Sequence, residues 1–270
     1  MYNQTPISPN APLDSLTISN HPDTPELSRS EALHDNIRAR AAVGRHPATP
    51  PSILIALGKD NAFTVRTAVA ANPATPSDAL STLARDPYGS VRWACATNPA
   101  TLTADLALLA QDDHLATRRV VANHPTPLPS NVLTILAHDE YSSIVQIVAQ
   151  RKESAQDPEL VDALTHHASF SVRAQCAGNP AVPPNTLTLL ADDPAYEVRA
   201  AVAGNPATPQ TTLTALANDE IDTVRLHVAR NPETPKETLI ALREDPRPYI
   251  RNAATKSATN GKMPRQPSKA

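Results

Sequence analysis

The chain has 270 residues, a net charge of −3, 40% apolar residues and only 3% aromatics. So few rings argue against a deep core of large side chains, and two cysteines (Cys95 and Cys176) make neither a disulfide framework nor a four-cysteine metal site. No apolar run approaches the ~18 residues of a membrane span. The N-terminal "MYNQTPISPNAPLDSL" lacks the basic region and apolar stretch of a secretory signal, so a cytoplasmic location is expected.

In chain order, residues 1–12 read as a disordered tail and residues 13–35 as a degenerate capping repeat. The latter holds "HPDTP" (21–25), a copy of "HPATP" (46–50), but has Ser28 and Glu31 where later copies have leucines. From there the chain repeats itself. An Arg opens a run of small apolar residues at Arg40, Arg66, Arg92, Arg118, Arg173, Arg199, Arg225 and Arg251, in steps of 26 residues apart from one step of 55 that passes over Val145. An apolar pair lies twelve and nine residues before each following position of this register, as in Leu54/Leu57, Leu80/Leu83 and Leu213/Leu216. An acid lies six residues before it, at Asp60, Asp86, Asp112, Asp139, Asp193, Asp219 and Asp245. His34 and His167 take that place in the other two copies.

Each unit reads as two helices. In "VRTAVAANP" (65–73), Val65, Ala68 and Val69 form one helical stripe, which must stop near Asn72 because a residue before Pro is pushed out of the helical region. In "TPSDALSTLARD" (75–86), Thr75 is the expected N-cap and Pro76 the first helical residue, and in "TPKE" (234–237) Glu237 adds a capping box. The second helix should be short, about three turns and partly 3₁₀. So narrow a stripe cannot fold alone, so neighbouring units must stack and share one core. The expected fold is an all-α solenoid of eight to nine 26-residue two-helix (α/3₁₀) repeats spanning 13–255.

An irregular joint is expected near 139–167. There the Arg is replaced by Val145, "QRKES" (150–154) replaces "NPATP", and "DPEL" (157–160) supplies Asp157 and Pro158 as another helix start. Without its Pro, the first helix of this copy should run longer. The break reads either as drift in a tolerant loop or as a bend that shapes a binding face. Residues 256–270 carry Lys256, Lys262, Arg265 and Lys269 with no acid and read as a flexible basic tail.

The unit "VRAAVAGNPATP…L..LA.D" resembles the leucine-rich repeat variant family, with HEAT repeats as a more distant likeness. The resemblance covers roughly residues 35 to 255 and implies a right-handed helical superhelix. The iron–sulfur module known in that family is not carried over, because no cysteine precedes Cys95.

No residue set rises above the repeat average as a catalytic or metal constellation, and no cofactor is expected. There is no phosphate-binding Gly-rich loop, no nucleophile elbow and no HExxH. His166 and His167 are adjacent, so on a helix they point apart. Cys95 and Cys176 occupy Val/Ala positions and read as small buried hydrophobes. The arginine column could be a phosphate-binding stripe. The better reading is structural: Arg66, Arg92, Arg118, Arg173, Arg199 and Arg225 form a hydrogen-bonded ladder with Asp60, Asp86, Asp112, Asp193 and Asp219 that fixes the register between repeats. The aromatics gather ahead of the repeat arginines, at Phe63, Tyr88, Tyr141, Phe170, Tyr196 and Tyr249, with Leu115 and Ile221 in the other copies. They read either as staples between repeats or as a ridge that grips a partner. Trp93 and Arg119 stand one place after the repeat Arg in consecutive copies, facing away from the apolar stripe.

The expected function is therefore a non-catalytic scaffold that binds another macromolecule, a protein in preference to nucleic acid. A nucleic-acid-binding or nucleobase-processing HEAT-like protein is the alternative. It is disfavoured because the chain is acidic and the arginines that stand in register are committed to the ladder.

Overall fold

The structure is a computed structural model that describes residues 36–260. The expected tail over 1–12, the capping repeat over 13–35 and residues 261–270 fall outside the described residues. Seventeen α-helices follow one another, with no strand among the described residues. The chain divides into two compact units after Leu128.

The first unit holds α1 (Ile37–Arg45), α2 (Pro51–Leu57), α3 (Phe63–Ala70), α4 (Ser77–Leu83), α5 (Gly89–Thr97), α6 (Thr103–Leu109) and α7 (Leu115–Ala122). The second unit begins with α8 (Ser130–Ala137), α9 (Ser142–Gln150), α10 (Pro158–Thr165), α11 (Phe170–Gly178) and α12 (Pro184–Leu190). It ends with α13 (Tyr196–Gly204), α14 (Gln210–Leu216), α15 (Asp222–Arg230), α16 (Lys236–Leu242) and α17 (Pro248–Asn260). Odd-numbered helices carry the repeat Arg or its substitute, and even-numbered helices carry the leucine pair.

Within each unit, every odd-numbered helix packs against the next odd-numbered one: α1 on α3 through α7, and α9 on α11 through α17. Even-numbered helices fill the angle between two of them. The small stripe residues let the odd helices approach, and Val65, Ala68 and Val69 are buried, as are Val198, Val202 and Ala203. The leucine pairs close the core from the other side, with Leu80, Leu83, Leu106, Leu109, Leu213 and Leu216 all buried. Burying one such Leu contributes about 1.5–3 kcal/mol, so the stabilisation comes from many modest side chains.

The second helices are α-helical, not partly 3₁₀, and mostly seven residues long, which is two turns rather than three. Tightened bonds occur only at their ends, as in Asp86 N–H to the Leu83 carbonyl; helix termini commonly close in this way. One 3₁₀ segment, Lys152–Gln156, occurs among the described residues, in the irregular repeat.

Thr75 is not the N-cap of α4. Pro76 holds that place with no side-chain cap, and the Thr75 hydroxyl instead donates to the Val69 carbonyl (2.6 Å) at the end of α3. Thr49, Thr101, Thr208 and Thr234 make the same bond to the carbonyl six residues back. Likewise α16 begins at Lys236 after Pro235, so Glu237 sits too early for a capping box. With Pro as N-cap there is no side chain to receive the first N–H groups, and the Thr is free to close the preceding helix.

In the irregular repeat α9 does not run longer. It ends at Gln150 because Arg151 turns extended (φ −73°, ψ 134°) where most other copies have Asn or His, and the Ser154 hydroxyl supplies the missing Thr bond, to the Val148 carbonyl (2.7 Å). Asp157 caps α10 by accepting from the N–H groups of Glu159 and Leu160. At the other end α17 continues to Asn260, past the expected boundary at 255, because Ser257-Ala258 replaces the Asn-Pro that ends most other odd helices.

One core position departs from the rule. Val65, Val91, Ile144, Val172, Val198, Val224 and Ile250 precede the repeat position and are fully buried, whereas Thr117 holds that place in α7 with a hydroxyl that has no hydrogen-bond partner. Thr117→Val keeps the shape and removes the unpaired group, so it should raise stability by about 1–2 kcal/mol in urea unfolding. An unchanged or lower midpoint would show that the hydroxyl is satisfied.

Candidate functional site

Stacking brings the repeat arginines onto the acids of the following repeat, twenty residues on, rather than onto the acid six residues back. Nε of Arg40, Arg66, Arg92, Arg173, Arg199 and Arg225 donates to Oδ2 of Asp60, Asp86, Asp112, Asp193, Asp219 and Asp245 respectively, at 2.5–2.7 Å. Nη2 of the same arginines donates to the other carboxylate oxygen, making each pair bidentate. In Arg66, Arg92, Arg173, Arg199 and Arg225, Nη1 turns back to its own repeat, as when Arg199 donates to the Asp193 carbonyl (2.9 Å). Arg118 makes that backbone bond to the Asp112 carbonyl (2.8 Å), and Arg251 to the Asp245 carbonyl. Each carboxylate in turn accepts from an N–H two residues on, as Asp219 does from Ile221 (2.9 Å). Little donor capacity is left on these guanidinium groups for an outside phosphate.

Burial by itself would raise the carboxyls of Asp86, Asp112, Asp193, Asp219 and Asp245. The Arg hydrogen bond, the backbone N–H and the Arg charge outweigh it and hold them below the ordinary carboxylate range. The unfolded chain therefore binds more protons as acid is added. The ladder's contribution is complete above the ordinary carboxylate pKa of about 4 and is lost as pH falls through the lowered folded values. Urea midpoints should fall steeply between about pH 5 and pH 3; a flat profile there would contradict the lowered carboxyls.

The irregular repeat loses both members of its rung. Val145 is fully buried in the Arg place, and His167 replaces Asp while keeping the turn bond, its Nδ1 accepting from Ser169 N–H (3.0 Å). Losing both partners leaves no orphaned buried charge, whereas losing one is costly.

A second set of cross-repeat bonds comes from the NP turn. Nδ2 of Asn72, Asn98, Asn179, Asn205 and Asn231 reaches two carbonyls of the preceding repeat; for Asn205 these are Ala177 (2.7 Å) and Asn179 (2.9 Å). Their Oδ1 atoms accept the N–H two residues on. His124 occupies the same place, with Nε2 3.3 Å from the Asn98 carbonyl, and Ser257 hydrogen-bonds Ala229. In the sequence this column reads as a turn signal alone. The available clue was an Asn held in register where only a residue before Pro was needed.

The aromatic column lies at the N-terminal edge of the odd helices. Phe63, Leu115, Phe170 and Tyr196 are first helical residues, Tyr88, Tyr141 and Ile221 are N-caps, and Tyr249 is second in α17. Phe63 and Tyr88 stack with centroids 4.7 Å apart and the Arg66 guanidinium 5.6 Å from the Tyr88 ring. The Tyr249 hydroxyl donates to Asp222 (2.7 Å). These contacts link neighbouring repeats, yet all the aromatics of this column remain 40–50% exposed.

Trp93 of α5 is 44% exposed and borders an open groove of about 540 Å³ together with Thr97 and with Leu115, Arg119, Val120 and Asn123 from the α7 repeat. Sequence alone placed Trp93 and Arg119 in one column; packing of α5 on α7 makes them walls of one groove.

Elsewhere the chemistry is muted. Cys95 and Cys176 are buried, which pushes their thiols up to about 12 and about 11, far from reactive thiolates. His166 Nδ1 lies near Asp162 (3.2 Å), and among the described residues no group of three or more His, Cys, Asp or Glu side chains is arranged to hold a metal ion. No described helix is long and apolar enough to cross a membrane.

The model of the leucine rich repeat variant family matches residues 63–87 and 196–221, one repeat in each unit. Among solved structures, the chain is similar to a leucine-rich repeat variant described as having a novel repetitive structural motif. The two are 25% identical, with a TM-score of 0.62 over 82% of this chain and 87% of that one. An engineered protein aligns over 92% of this chain and 88% of its own at 15% identity, but its TM-score of 0.38 carries no weight. No curated protein sequence matches the chain.

Proposed function

Starting from a helical repeat protein of the leucine-rich repeat variant type, we propose that it is a non-catalytic scaffold that binds a protein segment along its odd-helix face and aromatic edge. The observation that carries this reading is the exposure of the described aromatic side chains on the same side of the odd helices in each unit (Phe63, Tyr88 and Trp93 in the first; Tyr141, Phe170, Tyr196 and Tyr249 in the second) in a chain that otherwise uses so few. Aromatic side chains give large contact area for little lost side-chain freedom, and they recur as anchors of protein interfaces. Behind them, Arg–Asp or Asn bonds tie neighbouring repeats together within each unit, so each edge is presented without an ordering cost at binding.

A nucleic-acid function needs unpaired cations in a row. The paired state of the repeat arginines speaks against it. Two measurements separate the readings. Capture by the full chain should drop when Phe63, Tyr88, Phe170 and Tyr196 are replaced by Ser, and retention on heparin should fade at low salt. Equal capture by wild type and variant would remove the ridge, and steep salt-dependent retention would favour nucleic acid.

A further inference from the structure

Within that protein-binding reading, we propose that the groove between α5 and α7 takes an acidic, apolar peptide segment, with a carboxylate on Arg119 and a neighbouring aliphatic or aromatic side chain on Trp93. The argument is one of charge complementarity. The six arginines of the described ladder rungs each grip a carboxylate, whereas the Arg119 guanidinium, exposed one place further along α7, makes no ion pair among the described residues. It is the one formally charged residue among those lining the groove, which include no carboxylate. His124 also lines it but is buried, its ring hydrogen-bonded to the Asn98 carbonyl and the Thr126 hydroxyl.

The rest of the lining supplies the apolar half of the recognition. Trp93 and Leu115 are 44% and 37% exposed, and Val120 is half-buried beside Arg119. A groove lined by a guanidinium, an indole and two aliphatic side chains suits a peptide in which Asp or Glu stands close to Leu, Ile or Phe. A planar carboxylate can take two parallel N–H bonds from Arg. A single cation in an open groove is too few for a phosphate backbone, which needs a track of them. The groove is open at the surface and fits a chain that passes through rather than an enclosed small molecule.

Trp93 is the only tryptophan in the protein, so its fluorescence reports this groove directly. The full chain would be titrated with three probes: a capped twelve-residue peptide alternating Glu and Leu, the same peptide with Lys for Glu, and a twelve-nucleotide oligothymidylate. The acidic peptide is expected to shift the Trp93 emission, and Arg119→Glu to weaken that response at least tenfold. Far-UV circular dichroism should be unchanged, since Arg119 is exposed and outside the core. Rescue of the Lys peptide by Arg119→Glu would establish the charge pairing.

A response to the Lys peptide but not to the Glu peptide would overturn the acidic assignment and leave the protein-binding scaffold standing. A response to the oligonucleotide alone would overturn both readings. No response to any probe, or an acidic response indifferent to Arg119→Glu, would remove this groove as the docking site, while the aromatic edge is judged by its own capture experiment.

Discussion

Arg199→Ala should destabilise the protein by about 3–5 kcal/mol, the range for removing one partner of a buried ion pair. The Arg199 and Asp219 side chains are only 13% and 7% exposed, so the Asp219 carboxylate would be left in place without its counter-charge. The Asp193 carbonyl loses its donor as well. Arg199→Ala combined with Asp219→Ala should cost less than the sum of the single changes, because the orphaned charge is gone, with a coupling of about 0.5–3 kcal/mol. The measurement is urea unfolding of the full chain with both single variants and the double. A loss under about 0.5 kcal/mol, ordinary for surface substitutions, would mean that the ladder does not lock the repeats. In that event an anionic ligand for the column would return as the better explanation.

Asn205→Asp should be the second severe change. Asn205 is buried, and its Nδ2 is the donor to both the Ala177 and Asn179 carbonyls. Asn205→Ala removes that donor, leaving the Ala177 carbonyl without its partner and the Asn179 carbonyl with only the Val182 N–H, a cost of about 1–3 kcal/mol for the one orphaned group. An ionised Asp places negative oxygen against both carbonyls and should cost more than Ala at neutral pH. Only its protonated form can donate, so the folded pKa of the introduced group is raised above its unfolded value. The stability of Asn205→Asp relative to wild type is then best in acid and worsens as pH rises through the raised folded pKa, the opposite slope to the ladder aspartates. Equal stability of the Asp and Asn forms at neutral pH would show that the cross-repeat bonds contribute nothing.

These two columns differ in how legible they were. Arg and Asp announce themselves by charge and by a fixed offset, so a pairing could be expected from the sequence. Its direction could not, because an Asp six residues back is the nearer partner along the chain. The odd helix turns its Arg toward the neighbouring repeat, so the acid twenty residues on becomes the partner and the nearer one offers only its carbonyl. Asn205 carries no such signal. An Asn before Pro is adequately explained by the turn it sits in, and its two distant acceptors are backbone atoms that no sequence pattern labels. Thr75 misled for the same reason: a Thr before a Pro and a short helix is a good cap on local grounds, and only the approach of the α3 end gives its hydroxyl a better acceptor.

The sequence by itself determined the period, the two helices per repeat, the stripe of Val and Ala against the leucine pairs, and the place of the aromatics. All of these follow from spacing along one chain, where the helical turn and the Pro positions act locally. The tertiary structure alone decided which neighbour each polar side chain bonds, that Thr117 carries a buried hydroxyl without a partner, and that Trp93 and Arg119 share a groove. Those outcomes depend on atoms 20 to 30 residues apart coming within hydrogen-bonding or contact distance, and that distance is set by how closely small side chains let one helix lie on the next.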